Sequence, residues 1–226
     1  MSLTNLLVLV NVVAFVWELA TGGPDYDHGY LIGAAVVEHG QWWRVFSSAF
    51  LHGSIPHVAL NMIALYQVGN LVEQLFGKLR FALLYTLAIV GSGLTVIWFN
   101  YDQPTLGASG AIFGLFGALV AVGLRLGRRG RALIGQVVPI VVLNLIFTFA
   151  VPGISAAAHV GGLITGFVVG FVLFMMPSRQ RERVYAYAFA PPPDPAGVVT
   201  IDQEPEPPRE RDETAPAEPP RPGPNA

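Results

Sequence analysis

Apolar residues dominate the chain up to residue 176, in runs separated by short turns that contain glycine or proline. A helix that crosses the hydrocarbon core of a bilayer needs about 20 mainly apolar residues. The runs that approach or reach this length lie at 5–20, 56–76, 81–99, 109–124, 133–150 and 155–176. We therefore predict an all-α, polytopic membrane protein with six transmembrane helices. The first run lacks a basic stretch before it, which favours a retained helix over a signal peptide.

Charge and proline are concentrated beyond these runs. Of the 28 Asp, Glu, Lys and Arg residues, 15 lie after residue 176, together with 13 of the 18 prolines. Residues 1–176 are too apolar to supply a water-exposed surface as well as a core, which supports the membrane interpretation. Residues 177–226 contain few large apolar side chains, so we predict a disordered, Pro/Glu-rich cytoplasmic tail after a membrane domain at 1–176.

Basic residues in the short connections predict the orientation, because Lys and Arg are retained on the cytoplasmic side. Lys78 and Arg80 follow the second run, and four arginines lie between residues 125 and 131 after the fourth. The connections after the first, third and fifth runs contain only Arg44. Both termini are then cytoplasmic, and we expect a bacterial plasma (inner) membrane protein.

Two further features of the composition exclude classes of function. The net charge of −2 argues against nucleic-acid binding, which needs a basic surface. The chain has no cysteine, so disulfides, thiol nucleophiles and thiolate metal sites are excluded. We predict no metal and no cofactor, and the sequence leaves the oligomeric state open.

Polar side chains inside the predicted spans are candidates for function, because they are costly in hydrocarbon. His57 and Asn61 lie in the first turns of the second span, Ser109 begins the fourth, and His159 lies about one turn into the sixth. These three spans run in the same direction. At about 1.5 Å rise per residue, all four side chains are predicted at a similar shallow depth below the outer surface.

Glycines surround both Ser109 and His159. Ser109 lies in Gly107-Ala108-Ser109-Gly110, and Gly162 and Gly166 follow His159 on nearly one helix face. Small residues at this spacing are typical of close helix packing, which alone explains the serine as a packing residue. If the fourth and sixth helices meet along this face, His159 reaches Ser109 and can accept its proton. Gly161, about 100° further around, is the glycine expected to tolerate a side chain if it faces lipid.

The imidazole would also need an orienting group. No acidic residue lies at its depth on the second, fourth or sixth run, but Phe113, one turn after Ser109, could stack on the ring. Ordinary packing is the alternative for Phe113, and for this residue taken alone it is the favoured explanation. His57 and Asn61 are suited to an oxyanion hole, and hydrogen bonding between helices is the alternative for both.

Taken together, these motifs resemble the rhomboid family of intramembrane serine proteases. The resemblance covers residues 1–176. It rests on motifs that occur in this order: Gln41-Trp42-Trp43-Arg44, Phe50-Leu51-His52, His57-Val58-Ala59-Leu60-Asn61, Glu73 with Gly77, Gly107-Ala108-Ser109-Gly110, and Ala158-His159-Val160-Gly161-Gly162.

The resemblance implies a catalytic dyad in which Ser109 is the nucleophile and His159 the general base. It implies an oxyanion hole formed by His57, Asn61 and the backbone N–H of Ser109. Phe113 occupies the place where the family often has a tyrosine stacked under the histidine. The residues with an implied structural role are Trp43, Arg44, Glu73, Gly107, Gly110, Gly162 and Gly166. No catalytic role is predicted for His52.

The implied substrates are transmembrane proteins that enter from the lipid bilayer beside the fifth span, and the implied active site opens to the outside. Two other classes of function are alternatives to a protease. A catalytically silent relative would bind client transmembrane helices without cutting them, but such members usually lack the serine or the histidine. A transporter or channel would carry charged residues deep in several spans, or an internal repeat, and the sequence shows neither.

Overall fold

The computed structural model describes residues 1–22 and 29–177, and over these ranges the chain is helical apart from turns and one isolated antiparallel bridge. The helices are α1 (Leu3–Ala20), α2 (Gly33–Val37), α3 (Arg44–Ser47), α4 (Ile55–Phe76), α5 (Lys78–Phe99), α6 (Ser109–Arg125), α7 (Arg131–Ala150) and α8 (Ala156–Met175). Short 3₁₀ turns occur at Ser48–Phe50 and Gly127–Gly130. The all-α prediction is confirmed for the described residues, and the predicted tail from residue 178 onward lies outside them.

Four of the helices are long and apolar enough to cross a membrane. They are α1, α5, α8, and α7 when the 3₁₀ turn that leads into it is included. α6 is also apolar but shorter, at 17 residues. α4 has 22 residues and is interrupted by polar side chains, among them Asn61, Gln67 and Glu73. The predicted helix boundaries differ from the observed ones by up to three residues, for example at Lys78, because the sequence rule counts apolar residues while the helix also includes the polar residues that begin it.

Glu73 joins the beginning of α1 to the far end of α4. Its carboxylate accepts hydrogen bonds from the backbone N–H of Leu3 at 2.9 Å and of Thr4 at 2.8 Å, and from the Thr4 hydroxyl at 2.8 Å. The first N–H groups of a helix lack partners within the helix and carry partial positive charge, so a carboxylate there is doubly favourable. Glu73 is buried, and it holds α1 against α4.

The connection from α1 to α4 packs on the connection that leads into α6. Leu31 and Thr105 exchange two backbone hydrogen bonds of 2.9 Å, and the N–H of Gly107 donates to the Ser48 carbonyl at 2.8 Å. These contacts fix the backbone immediately before Ser109. The long first connection therefore helps to position the start of α6.

Arg44 makes several contacts within this connection. Its guanidinium donates to the Tyr30 carbonyl at 2.9 Å and to the Gln41 side chain, and its central carbon lies 5.0 Å from the centroid of the Trp43 ring. The arginine is buried, so each of these partners replaces water. The structural role expected for Trp43 and Arg44 stays a prediction.

α6 is the central helix of the bundle. Of its 17 residues, 13 are buried, and it packs against α4, α5, α7 and α8. Its contact with α8 is the most extensive of these, and the two backbones touch. A Cβ atom on Gly162 would overlap the backbone of Gly110, and one on Gly166 would overlap the backbone of Gly114. Close backbone approach of this kind is how helices gain packing energy in lipid.

The structure corrects the expectation for Gly161. A Cβ atom there would overlap the Thr95 side chain and lie 3.1 Å from the Gly91 carbonyl oxygen, so Gly161 faces α5 rather than lipid. The reason is that α8 packs on two neighbours at once. One of its glycine-lined faces meets α6 and an adjacent one meets α5.

We expect Gly162→Val, Gly166→Val and Gly161→Val each to destabilise the bundle, because an added side chain must push backbones apart at a close-packed contact. Overpacking of this kind typically costs about 1–3 kcal/mol or more. Thermal unfolding in detergent measures the effect. Gly135→Val is the matched control, since no atom lies within 4 Å of a Cβ built at this glycine of α7. Equal melting temperatures for Gly166→Val and Gly135→Val would contradict the packing described here.

Candidate active site

Ser109 is the first residue of α6 and is half-buried. The residue before the helix, Ala108, offers no side-chain cap, so no side chain from that position accepts from the first N–H groups of α6. These groups form a partly positive helix terminus next to the serine hydroxyl. The helix thus begins with a hydroxyl and several backbone donors at one place.

His159 lies in the first turn of α8, and its Nε2 atom is 2.8 Å from the hydroxyl oxygen of Ser109. The ring of Phe113, one turn further along α6, stacks on the imidazole with 4.2 Å between centroids and 15° between planes. Both rings are buried. The structure therefore brings together Ser109, His159 and Phe113, which the sequence places on two different spans. The close packing of α6 on α8 makes this contact possible.

Thr148 is a contact of His159 that the sequence reasoning missed. Its hydroxyl oxygen lies 2.7 Å from His159 Nδ1, and the residue is 3% exposed near the end of α7. An acidic residue on the second, fourth or sixth span would be the expected orienting group, and Thr148 is neither acidic nor on one of these spans. The depth of Thr148 in the membrane could have identified it, because α7 ends at the level where α8 begins.

His57 and Asn61 lie near the start of α4, on the same side of the bundle. The Asn61 amide donates to the His57 carbonyl at 3.0 Å, within the same helix. The His57 ring lies against Gly107, since a Cβ atom built there would be 2.7 Å from Nε2. The same Cβ position is 3.8 Å from the Ser109 hydroxyl oxygen, so the His57 ring and the serine are neighbours.

His52 lies behind His57 and is fully buried. The two ring centroids are 5.0 Å apart in an edge-on arrangement, and the backbone N–H of His52 donates to Glu18 at 3.1 Å. Burial, followed by the neighbouring His57, lowers the pKa of His52 to about 4. The ring is therefore neutral at pH 7 and supports His57 as a packing partner.

A cavity of about 860 Å³ opens over these residues. It is lined by Ser109, His159, His57, Asn61 and Phe113 at one end. Its walls include Leu60, Ile63 and Val68 from α4 and Ile140, Asn144 and Phe147 from α7. The cavity is mostly apolar with a few convergent polar groups, as is usual for sites that bind organic ligands.

The helices and the site define the class of protein, which is an all-helical membrane protein with a serine–histidine pair near the ends of two adjacent helices. The rhomboid domain profile matches residues 39–176, and the chain belongs to the rhomboid family. Family membership and the apolar helices make it an integral membrane protein.

Individual relatives agree with this assignment. The chain is 36% identical over 178 residues to rhomboid protease GluP of Bacillus subtilis, covering 76% of this chain and 35% of that protein. It is 36% identical over 154 residues to RHOMBOID-like protein 2 of Arabidopsis thaliana, with coverage of 66% and 48%. It is 26% identical over 212 residues to rhomboid protease AarA of Providencia stuartii, with coverage of 80% and 75%.

The matched regions do not extend over the whole of the first relatives. The chain spans 35% of GluP, 36% of RHOMBOID-like protein 4 and 53% of RHOMBOID-like protein 5. The family assignment therefore rests on the rhomboid domain itself.

Gly107 provides a test of how closely His57 approaches the start of α6. Its φ angle is +113°, and the matched control Gly153, at +85°, has no atom within 4 Å of a built Cβ. Alanine at either position carries backbone strain of about 1–3 kcal/mol. Gly107→Ala should lower the melting temperature in detergent further than Gly153→Ala, because only Gly107→Ala also displaces the His57 ring. Equal losses would mean that the His57 ring does not pack on Gly107.

Proposed function

We propose that this protein is an intramembrane serine endopeptidase that hydrolyses peptide bonds in or near transmembrane segments of membrane-protein substrates. One observation carries the proposal, namely the 2.8 Å contact of the Ser109 hydroxyl with His159 Nε2 inside an apolar helical bundle. A hydroxyl becomes an effective nucleophile when a base lies within hydrogen-bonding reach. That two of the relatives are named rhomboid proteases supports the same activity.

The geometry suits acyl transfer in two stages. The Ser109 proton passes to His159 Nε2 as the serine oxygen attacks the scissile carbonyl carbon, whose oxygen takes the negative charge. The tetrahedral intermediate collapses, and the same proton goes from Nε2 to the leaving amine, which yields an ester on Ser109. Water then attacks this ester, again giving a proton to Nε2, and the proton returns to Ser109 as the acid product leaves.

Two groups of candidate donors for the developing oxyanion lie near the serine. The first N–H groups of α6 are one, and the side chains of His57 and Asn61, which line the same cavity as Ser109, are the other. Such donors stabilise the transition state most strongly where water is excluded. The Asn61 amide carries a second N–H besides the one that donates to His57, so it has a free proton to donate.

The stacked ring of Phe113 has a different role in this scheme. It holds the imidazole plane parallel to its own at 4.2 Å and leaves both ring nitrogens in that plane free for hydrogen bonds. Stacking of this kind contributes about 0.5–1.5 kcal/mol beyond the buried area. It therefore limits rotation of His159 without competing for its protons.

We place the domain at residues 1–176, with all six long helices crossing the membrane and both termini in the cytoplasm. The cytoplasmic tail at 177–226 follows, although it lies outside the described residues from 178 onward. Basic residues at the ends of α4 and α6 support this orientation, which puts Ser109 near the outer surface of a bacterial plasma membrane. Outside water would reach the site through the cavity.

The same cavity supports a proposed route of substrate access between α4 and α7. Leu60 on α4 and Phe147 on α7 are 68% and 58% exposed, and both line it. α7 has only three buried residues and contains Pro139, which removes one backbone hydrogen bond from the helix. A loosely packed helix beside the nucleophile is suited to admit a transmembrane segment from the bilayer, and lipid and substrate are then the partners of this face.

Cleavage of a reconstituted single-span substrate tests the dyad. Ser109→Ala and His159→Ala should each abolish cleavage, and the double variant should be no slower than either, because members of a catalytic unit are non-additive. A serine-reactive fluorophosphonate should label the parent but not Ser109→Ala. Ser47→Ala is the matched control, since its hydroxyl donates to Gly29 away from the cavity. Cleavage that persists in Ser109→Ala would refute the assignment, and a parent that binds substrate without cutting it would indicate a silent relative.

Asn61→Ala tests the oxyanion hole. Loss of one donor typically lowers kcat by about 10²–10³-fold. Asn70→Ala is a close control, because Asn70 lies on the same helix and makes the same bond to the carbonyl four residues earlier, but does not line the cavity. Steady-state rates for both variants decide the question, and an unchanged kcat in Asn61→Ala would remove this residue from the site.

A further inference from the structure

Both ring nitrogens of His159 have hydroxyl partners. Nε2 lies 2.8 Å from the Ser109 oxygen, and Nδ1 lies 2.7 Å from the Thr148 oxygen. A neutral imidazole carries one proton, on either nitrogen. Only the tautomer with the proton on Nδ1 leaves the Nε2 lone pair available to take a proton from Ser109. The direction of the hydrogen bond at Nδ1 therefore decides whether His159 can act as a base toward the serine.

The surroundings of Thr148 determine that direction. Its hydroxyl oxygen is also 2.7 Å from the backbone carbonyl oxygen of Asn144, one turn earlier in α7. A carbonyl only accepts, so the single hydroxyl proton of Thr148 goes to Asn144. The oxygen of Thr148 is then left as an acceptor toward Nδ1. Because an acceptor needs a proton opposite it, this arrangement favours the Nδ1–H form of His159.

We propose that Thr148 is a positioning residue that selects the base-competent tautomer of His159. The hydrogen bonds then run in one direction, from Ser109 O–H to Nε2, from Nδ1–H to Thr148, and from Thr148 O–H to the Asn144 carbonyl. This inference rests on the proposed protease function and assigns to a neutral hydroxyl the orienting task that an acidic residue performs in soluble serine proteases.

The packing of α7 shows that shape alone does not require threonine here. The buried residues of α7 are Val137, Val141 and Thr148, spaced along one side of the helix. Valine has almost the same volume as threonine, and the first two positions use it. A hydroxyl buried to 3% exposure is unfavourable unless it is hydrogen-bonded, and Thr148 has both of its partners.

A hydroxyl also suits the surroundings better than a carboxylate would. An ionised side chain taken out of water loses much of its favourable solvation, and it regains this only from a well-placed charged partner. In this scheme His159 is neutral before substrate binds, so a neutral hydrogen-bond acceptor is enough to orient it. The hydroxyl selects the tautomer without placing a fixed negative charge in the bundle.

The tautomer can be read without substrate. Histidine labelled with ¹⁵N in the full chain, in detergent at neutral pH, gives separate signals for the protonated and bare ring nitrogens, and His159→Gln assigns them. We expect Nδ1–H to dominate in the parent. Thr148→Val should convert it to a mixture or to the Nε2–H form, whereas Thr148→Ser should retain it. Thr95→Val is the matched control, because Thr95 makes the same bond to the carbonyl four residues earlier, in α5.

Cleavage rates then connect the tautomer to the reaction. Loss of the outer hydrogen-bond partner of a metal-ligating histidine typically costs about 10–100-fold in affinity or activity, and we expect a loss of similar size for a histidine that acts as a base. We expect Thr148→Val to lose kcat in that range with KM unchanged, Thr148→Ser to recover most of it, and Thr95→Val to match the parent. A purely structural role would instead lower the melting temperature and would not change the tautomer.

Several results would overturn the proposal. A dominant Nε2–H form in the parent would do so without any substitution, even if Thr148→Val failed to fold. An unchanged tautomer in Thr148→Val, or a changed tautomer with the parent's cleavage rate, would do so as well. Failure of the protease function is a separate result, since persistent cleavage by Ser109→Ala would show it while the ¹⁵N spectrum still reports on Thr148.

Discussion

The contact of α6 with α8 is the constraint on which the rest of the site depends. Two helices whose facing residues are Gly110, Gly114, Gly162 and Gly166 bring their backbones into direct contact. Only at such a short separation does an imidazole on one helix reach a hydroxyl on the other. In lipid, where burial of apolar surface gives no gain between helices, this packing must itself supply the stabilisation. The same glycines that stabilise the bundle therefore also set the geometry of the serine–histidine pair.

The starts of α1 and α6 differ in their hydrogen bonding. Glu73 supplies acceptors to the first turn of α1, while Ala108, the residue before α6, offers no side-chain acceptor. A helix start without hydrogen-bond acceptors is unfavourable where water is excluded. The start of α6 next to Ser109 therefore differs in kind from the start of α1. The first terminus is satisfied by a side chain of the protein itself, and in the proposed mechanism the second keeps its donors for the substrate carbonyl.

Depth along the helices was the strongest guide in the sequence. It predicted that Ser109 and His159 lie at one level, because polar residues are rare in apolar spans and the direction of each span follows from its connections. It did not identify Thr148, since a threonine bonded to its own helix resembles an ordinary polar residue in a membrane. The condition on which the expected tolerance of Gly161 depended is not met, since Gly161 faces α5 and not lipid, and the sequence of a single helix cannot reveal that it packs on two neighbours. The short helices α2 and α3 lie in a connection with little periodicity and went unpredicted.

The helices of the bundle differ in how much of their surface is buried against other helices. α6 buries 13 of its 17 residues, whereas α7 buries three of 20. The nucleophile lies on the first, and Thr148 lies on the second. A movement of α7 that widens the cavity would therefore also act on the hydrogen bond at His159 Nδ1. In the proposed mechanism, opening of the cavity and the tautomer of His159 are then linked through one hydroxyl, because the hydrogen bond at Nδ1 requires α7 in the position that the structure shows.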